Sequence, residues 1–382
     1  MAVGGPLAES YELGPIRPPS EAFSLLIRVT RNCPWNRCAF CPIYKGTKFE
    51  LRTAEEIKRD IDTAKLISDY ISDLARSSGV PVRETAASVV NSAASEACRN
   101  VGLWMYAGGS HAFLQDANSL IMKTPDLLEV LNYLKTTFPD IDRITSYLRS
   151  KTAARKTLDE LKALHDAGLS RLHIGLESGY DPVLAFMEKG TTAADHITGG
   201  KNVVASGISL SEYVMLGAGG ATMWREHALE TARVLNEINP DFIRFRTLTV
   251  RDGMPLREKV AGGEFVRATD EQIIEEEQLL IENLTGTSTI ASDHSINLLP
   301  EIEGRLPEEK DAMLEVIARF QAMPPEERDI YKLGRRLGIY DRLDELSDTS
   351  RRAEVVRVME QVTGNDDVSL DDVLFKLMER YI

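Results

Sequence analysis

The fold class is indicated by a strand–helix–strand segment, residues 143–177, with the sequence RITSYLRSKTAARKTLDELKALHDAGLSRLHIGLE. At its two ends, Arg143–Arg149 and Arg171–Glu177 alternate between polar and apolar side chains, which is typical of a β-strand. Between them, Thr157 and Glu160 have the spacing of a capping box, in which both side chains accept backbone N–H groups at the start of a helix. A strand, a helix and a second strand in this order predict a parallel βαβ unit.

The same alternation of strand and helix recurs along most of the chain. Six strands are predicted, each followed by a helix, at residues 25–30, 111–115, 143–149, 171–177, 208–216 and 242–249. Six βα units are fewer than the eight of a closed TIM barrel, so the periodicity alone fits an open barrel or a doubly wound sheet. Residues 307–382 show only helical patterns. We therefore expect an N-terminal arm over 1–21, a core over 22–285 and a helical C-terminal extension over 286–382.

Composition and charge exclude several classes of protein. The chain has 382 residues, of which 43% are hydrophobic, enough for a buried core and too many for an intrinsically disordered protein. No apolar run approaches the roughly 18 residues of a transmembrane helix, and the N-terminus lacks the basic and apolar regions of a signal peptide. We therefore expect a cytoplasmic protein without a membrane partner. The formal net charge of −14 argues against nucleic acid as a partner, since phosphates need lysines and arginines to neutralise them.

Three of the four cysteines, Cys33, Cys38 and Cys41, lie within nine residues in the segment 31–42, RNCPWNRCAFCP. This segment follows the first predicted strand, and active sites of parallel α/β folds form at the carboxyl ends of strands. Three thiolates this close can bind one inorganic centre, and thiolate ligands suit zinc or an iron–sulfur cluster. The segment is therefore the candidate metal site.

Spacing alone leaves more than one interpretation of these cysteines. A structural zinc site takes four protein ligands, commonly in two separated pairs, and no fourth Cys or His follows nearby. A redox-active pair of Cys38 and Cys41 would leave Cys33 unexplained. Three ligands for a four-iron cluster leave one iron open to a substrate or cofactor. The spacing favours this cluster over zinc.

With Phe40 directly before the last cysteine, the chain resembles the radical S-adenosylmethionine (SAM) superfamily over about residues 22–285. The resemblance implies an α/β fold, a partial (β/α)6 TIM-like barrel with a helical C-terminal extension. It also implies a [4Fe–4S] cluster on Cys33, Cys38 and Cys41 that cleaves SAM to methionine and a 5′-deoxyadenosyl radical. An electron donor such as flavodoxin or ferredoxin is expected. Four residues separate Cys33 from Cys38, whereas the commonest spacing in the superfamily has three.

Within the superfamily, the chain is most similar to oxygen-independent coproporphyrinogen oxidases and to elongator-type catalytic subunits. This resemblance implies SAM contacts near the carboxyl ends of the strands, at Asp116, Asn118, Tyr147, Arg149, Glu177, Lys189, Tyr213 and Gly217. Asp116 and Asn118 lie in a turn where relatives have glycines. Several of these residues could instead be ordinary turn residues or solvated charges, and the sequence leaves that alternative open.

Arg244 and Arg246 alternate on the sixth predicted strand and therefore share one face of it. Two guanidinium groups directed into a barrel suit a substrate that carries a carboxylate or a phosphate. Carboxylates of the protein itself could equally neutralise them. His294, in the loop Ser292–Asn297, is a further candidate for substrate contact or proton transfer.

The sequence therefore predicts a radical SAM enzyme with one [4Fe–4S] cluster that acts on a small anionic substrate. Only Cys98 remains once three cysteines are assigned, so a second thiolate-bound cluster is not expected. Two alternatives stay open: an elongator-like enzyme that modifies tRNA, and a non-catalytic protein with a structural zinc site.

Overall fold

The structure, a computed structural model, describes residues 5–93, 95–363 and 369–380. Two units interleave along the sequence. The first contains Met1–Asn36, Gly46–Ile174 and Thr198–Leu210, and the second contains Arg37–Lys45, Gly175–Ile197 and Ser211–Ile382. The division falls within the cysteine segment, so Cys33 belongs to the first unit and Cys38 and Cys41 belong to the second.

The sheet of the first unit is parallel. The strands of this unit are β1 (Leu25–Arg28), β2 (Thr30–Arg31), β3 (Glu50–Leu51), β4 (His111–Gln115), β5 (Arg143–Leu148) and most of β6 (Leu169–Glu177), of which β2 and β3 lie outside the parallel sheet. Strands β1, β4, β5 and β6 pair in this order, all in parallel. The register aligns Leu26 with Phe113, Phe113 with Thr145, and Tyr147 with His173, so each pair shares a face of the sheet. The short strands β2 and β3 pair antiparallel.

Helices pack against these strands in the first unit: α1 (Ala54–Ser78), α2 (Val82–Ser92), α3 (Glu96–Tyr106), α4 (Thr124–Thr137), α5 (Ser150–Ala153) and α6 (Leu158–Asp166). A capping box begins α1, because the Glu56 amide donates to the Thr53 hydroxyl (3.2 Å) and the Thr53 amide donates to the Glu56 carboxylate (2.8 Å). Ile57 and Ile61 lie on its fully buried face. Helices α2 and α3 occupy residues 79–110, for which the sequence pattern predicts no element.

The second unit continues the alternation with α7 (Asp181–Phe186), α8 (Ala193–Ala205), β7 (Ser209–Leu216), α9 (Gly220–Ile238), β8 (Phe242–Thr247), α10 (Leu256–Ala261), α11 (Asp270–Asn283), β9 (Thr289–Ala291) and β10 (Glu303–Arg305). The end of α8 and the start of β7 are assigned to the first unit. Strand β8 pairs in parallel with β7 and β9, whereas β10 pairs antiparallel with β9. The register places Tyr213 beside Arg244, and Met215 beside Arg246.

In the described part of the chain, β10 is followed by helices α12 (Lys310–Ala322), α13 (Pro325–Arg336), α14 (Thr349–Thr363) and α15 (Leu370–Met378). Buried cations attach α13 to the start of α11. Arg336 pairs with Asp270 (2.5 Å), and Lys332 pairs with Glu271 (2.5 Å). Removing one partner of a buried ion pair lowers the free energy of unfolding. These contacts therefore fix where α13 packs within the second unit.

The predicted fold class is confirmed: the chain is α/β with mostly parallel strands, as expected for a partial TIM-like barrel with a helical C-terminal extension. The six predicted strands correspond to β1 and β4–β8, and the capping box at Thr157 is present. Strands β9 and β10 were not predicted, because three residues each are too few to show a period. The domain boundaries after residues 21 and 285 remain predictions. No helix in the described ranges is both long and apolar enough to cross a membrane.

Candidate functional site

The cysteine segment follows β2. Cys33, Cys38 and Cys41 are half-buried and take part in no disulfide among the described residues, whereas Cys98 is buried in α3. In the second unit, the Cys41 amide donates a hydrogen bond to the Cys38 carbonyl oxygen (3.3 Å), which closes a tight turn between these two cysteines. Partial exposure leaves the thiols accessible to a metal, in contrast to the enclosed Cys98.

Two asparagines of the first unit, Asn32 and Asn36, turn the backbone on either side of Cys33. Asn32 and Asn36 have positive φ angles of 68° and 50°, a conformation that asparagine adopts more readily than most residues. The Asn36 amide donates to the Cys33 sulfur (3.4 Å), and N–H donors of this kind tune the sulfurs of iron–sulfur sites. Across residues 5–93, 95–363 and 369–380, no three His, Cys, Asp or Glu side chains are grouped closely enough to hold a metal ion. The cysteines fit a cluster by their chemistry and their spacing in the chain.

Asp116 is one of the residues predicted to contact SAM, but its visible partners belong to the protein. Its carboxylate is fully buried and accepts from the Arg28 guanidinium (Nε, 2.9 Å; Nη2, 2.8 Å) and from the Asn32 amide (2.8 Å). Arg28 also pairs with Glu12 (2.8 Å). Asp116 therefore anchors the residue next to Cys33, a contact that the sequence did not indicate.

Asn118, Tyr147 and Arg149 also lie in the first unit. Asn118 donates to the Thr152 hydroxyl (2.9 Å) and accepts from the Arg149 amide (3.3 Å), so it connects the turn after β4 to the start of α5. The Arg149 guanidinium lies over the ring of Trp35, 5.1 Å from its centroid. The structure therefore places Arg149 against the cysteine segment, since Trp35 lies between Cys33 and Cys38 in the chain. Tyr147 is half-buried and packs against aromatic rings, those of Phe113 (5.2 Å) and His173 (6.0 Å).

Glu177 and Lys189, both in the second unit, are brought together by an ion pair. Lys189 Nζ lies 2.9 Å from Glu177 Oε1, and both side chains are largely buried. Lys189 also lies over the ring of Phe40, 5.6 Å from its centroid. A Cβ atom on Gly175 would approach Glu177 Oε1 to 2.1 Å, so glycine at that position leaves the space that the pair occupies. This pair, next to the residue that precedes Cys41, is the best-defined group of predicted SAM contacts.

Glu212 on β7 is a buried acid that the sequence analysis missed. It is fully buried, and neither carboxylate oxygen has a hydrogen-bond partner among the described residues. Burial raises the pKa of Glu212 well above its usual range, and the charge of Lys189 only partly opposes this effect. Burial therefore favours the neutral acid of Glu212 over its carboxylate. The sequence does mark this residue, because Glu212 is a carboxylate within strand 208–216, whose other side chains are apolar or carry a hydroxyl group.

Arg244 and Arg246 share one face of β8, as predicted, and both bind the carboxylate of Asp293. Arg246 Nη1 lies 2.9 Å from Asp293 Oδ1, and Arg244 contacts the other carboxylate oxygen. The Arg246 guanidinium also lies over the Tyr213 ring, 4.8 Å from its centroid. A carboxylate of the protein therefore neutralises part of the charge of the two arginines, which is the alternative that the sequence left open. Asp293 retains 33% of its side-chain exposure, however, and is not a buried acid. The sequence analysis named the neighbouring His294 as a candidate and did not name Asp293.

Two further predicted residues, His294 and Gly217, also lie in the second unit. His294 Nδ1 accepts the Ile296 amide (3.3 Å), which orients its ring within the loop. Gly217 has a φ of 81°, and its amide donates to the Glu276 carboxylate (2.9 Å). A left-handed backbone of this kind favours glycine, so the turn after β7 depends on it.

No family model matches the chain. Among curated proteins, it is similar to the tRNA-2-methylthio-N(6)-dimethylallyladenosine synthase of Hahella chejuensis (strain KCTC 2396). The two are 27% identical over 254 residues, which are 65% of this chain and 48% of that protein. The chain therefore spans about half the length of this relative. Because the relative's name refers to tRNA, the expectation that a nucleic-acid partner is unlikely is not supported.

Three solved structures show a distant likeness. The cobalamin-dependent S-adenosylmethionine radical enzyme OxsB matches 93% of this chain and 52% of its own at 13% identity, with a TM-score of 0.48. Methylornithine synthase (PylB) matches 70% of this chain and 64% of its own at 15% identity, with a TM-score of 0.42. The archaeal Methanocaldococcus infernus Elp3 matches 56% of this chain and 55% of its own at 15% identity, with a TM-score of 0.41.

The sequence match to the curated relative spans 65% of the chain, and the cysteine segment independently has the three-thiol pattern of one superfamily. Enzymes of that superfamily use a [4Fe–4S] cluster and SAM. On this evidence the chain is similar to enzymes of the radical SAM superfamily, and its own activity is a proposal.

Proposed function

We propose that Cys33, Cys38 and Cys41 hold one [4Fe–4S] cluster and that the enzyme cleaves SAM to begin radical chemistry on a small anionic substrate. The observation that carries this proposal is the set of three half-buried thiols within nine residues, directly after β2. When bound, such a cluster supplies the electron that cleaves SAM. Three protein thiolates leave its fourth iron for the amino and carboxylate groups of SAM.

The Glu177–Lys189 pair supports SAM binding next to this segment. An ammonium group suits the SAM carboxylate, and a carboxylate suits the ribose hydroxyls. Both groups are largely buried, and Lys189 lies over Phe40, which precedes Cys41 in the chain. Other contacts stay part of the proposal, at Asn118, Tyr147, Arg149, Tyr213 and Gly217. We assign Asp116 instead to holding the start of the cysteine segment.

Glu177→Ala is expected to weaken SAM binding while the cluster remains. Loss of a hydrogen bond to a charged or ribose partner costs about 1–3 kcal/mol, or roughly 5- to 150-fold in Kd. Titration calorimetry on the reconstituted protein measures this change. The matched control is Glu188→Ala, which removes a carboxylate that is 51% exposed and pairs with Lys259. A SAM affinity that is equal in both variants and in wild type would remove Glu177 from the proposed site.

The anionic substrate is proposed from Arg244 and Arg246. Arg246 Nη2 is buried and has no hydrogen-bond partner among the described residues, although Nη1 of the same guanidinium binds Asp293. Buried N–H groups are nearly always satisfied, and a guanidinium group binds a carboxylate or phosphate with two parallel bonds. A substrate anion would supply the missing acceptor.

Arg246→Lys is expected to weaken anion binding about tenfold, because a lysine ammonium cannot reproduce the planar, bidentate contact. Inorganic phosphate and succinate serve as probes, with Kd read by calorimetry, while substrate-free formation of 5′-deoxyadenosine should change little. Arg233→Lys is the control, since Arg233 is exposed and pairs with Glu230 and Glu237 on its own helix, α9. Equal probe affinities in wild type and Arg246→Lys would contradict the anion site.

A second candidate function is modification of tRNA, which the name of the curated relative favours. The net charge of −14 counts against it. Gel-shift titration with bulk tRNA at two salt concentrations separates the two functions. A bound fraction of tRNA that falls steeply with added salt, as contacts to phosphates require, would favour tRNA over a small molecule as the substrate.

A further inference from the structure

A fully buried chain of polar side chains crosses the second unit between two strand ends. Ser178 Oγ lies 2.8 Å from His227 Nδ1, and His227 Nε2 lies 3.2 Å from Glu276 Oε1. The same Glu276 oxygen accepts the amide of Gly217 (2.9 Å). Ser178, His227 and Glu276 have no solvent exposure. The three side chains, called the relay below, thus join the turn after β6 to the turn after β7 through α9 and α11.

The protonation of the relay follows from its geometry. His227 Nε2 faces two acceptors, the Glu276 carboxylate and the Met215 carbonyl oxygen (3.2 Å), so Nε2 carries the proton. Nδ1 is then the acceptor of the hydrogen bond that the Ser178 hydroxyl donates. Ser178 Oγ in turn accepts the Tyr180 amide (3.0 Å). Each member therefore has a partner on either side along the relay, while Glu276 Oε2 has no hydrogen-bond partner among the described residues. The imidazole works as a rigid spacer between the two turns.

The turn after β6 packs closely against α9. A Cβ atom on Gly179 would lie 2.4 Å from the Glu230 carbonyl oxygen and 2.6 Å from the Thr231 Cα atom, so this turn presses on the backbone of α9. The Gly179 amide also donates to the Thr231 hydroxyl (2.8 Å). Glu177 immediately precedes Ser178 and has a φ of 63°. The position of Ser178 therefore determines where the Glu177 carboxylate lies.

We propose that Ser178, His227 and Glu276 are positioning residues that couple the Glu177 turn to the Gly217 turn. The inference rests on the proposed function, in which Glu177 and Gly217 contact SAM. A leucine at position 276 would bury comparable volume without the cost of burying a carboxylate. The carboxylate instead serves the two groups that it binds, the Gly217 amide and the His227 ring. A change at one end of the relay is transmitted to the other.

Glu276→Leu tests this coupling, with hydrogen exchange followed by mass spectrometry and SAM affinity followed by calorimetry. We expect faster amide exchange near Gly217 and also at Gly179 and Tyr180, which Glu276 does not contact. SAM Kd should rise about fivefold or more, with unchanged iron content. Glu276→Gln keeps an acceptor oxygen and should restore most of both readouts. The control is Val234→Ala, a buried apolar change in α9 that should lower Tm without changing SAM Kd.

Two results would overturn the inference. In the first, Glu276→Leu speeds amide exchange only near Gly217 and leaves SAM Kd unchanged, while Glu177→Ala raises SAM Kd. The relay then contributes only to packing, and the proposed function stands. If neither variant changes SAM Kd, the proposed SAM site fails together with the inference. Ser178→Ala, a smaller change at the opposite end, gives the same comparison if Glu276→Leu does not fold. It should then speed exchange near Gly217.

Discussion

Cys33→Ala, Cys38→Ala and Cys41→Ala are each expected to yield protein without an iron–sulfur cluster, whereas wild type purified without oxygen should contain about four irons and four sulfides per chain. A four-iron cluster with only two protein thiolates loses the ligand set that holds it. Iron and sulfide analysis measures the loss, and the brown colour of the wild type should disappear with it. Cys98→Ala is the matched control, because Cys98 is buried in α3 and should leave the iron content unchanged.

The same measurement tests the zinc alternative. Wild-type protein that is colourless and carries one zinc per chain would support a structural site and remove the radical chemistry. A triple variant, Cys33→Ala/Cys38→Ala/Cys41→Ala, that retained its iron would show that the cluster is held elsewhere.

Asp116→Ala is expected to lower the free energy of unfolding by about 3 kcal/mol, because it leaves buried partners unpaired. The Arg28 side chain is only 12% exposed and would keep Glu12 alone as a carboxylate partner. The Asn32 amide would lose its acceptor. Denaturant unfolding of the apoprotein measures the change. Since Asn32 directly precedes Cys33, the variant should also incorporate less iron.

Two companion variants sharpen this prediction. Asp116→Asn keeps an oxygen for the Asn32 amide and loses the charge, so its stability should lie between wild type and Asp116→Ala. Asp126→Ala, at an exposed position of α4, should change stability by less than about 0.5 kcal/mol. A loss below about 1 kcal/mol for Asp116→Ala would show that Arg28 and Asn32 are satisfied without Asp116.

Features that depend on neighbours in the chain could be predicted. The capping box at Thr157, the strand patterns and the three-cysteine segment each involve residues a few positions apart. The face shared by Arg244 and Arg246 follows from the period of a strand. The pairing of Glu177 with Lys189 spans 12 residues across α7, and the resemblance named both residues without indicating that they touch.

Contacts between distant positions could not be predicted, because a period says which face a residue lies on and not what packs against that face. Asp116 reaches Arg28 across 88 positions, and the assignment as a SAM contact missed that partner. Asp293 binds two arginines 47 and 49 positions away. These pairings exist because parallel strands bring the ends of remote segments to one edge of a sheet.

The sequence by itself determined the α/β class, the order of the six longer strands, and the three thiols, since these follow from local periodicity and spacing. The tertiary structure alone decided which charged groups are already paired. It placed Asp116 on Arg28, joined Ser178 to Glu276 through His227, and left Glu212 buried without a hydrogen-bond partner among the described residues. The reason is desolvation: whether a charge needs a partner depends on the surroundings that folding builds around it, which no stretch of sequence contains.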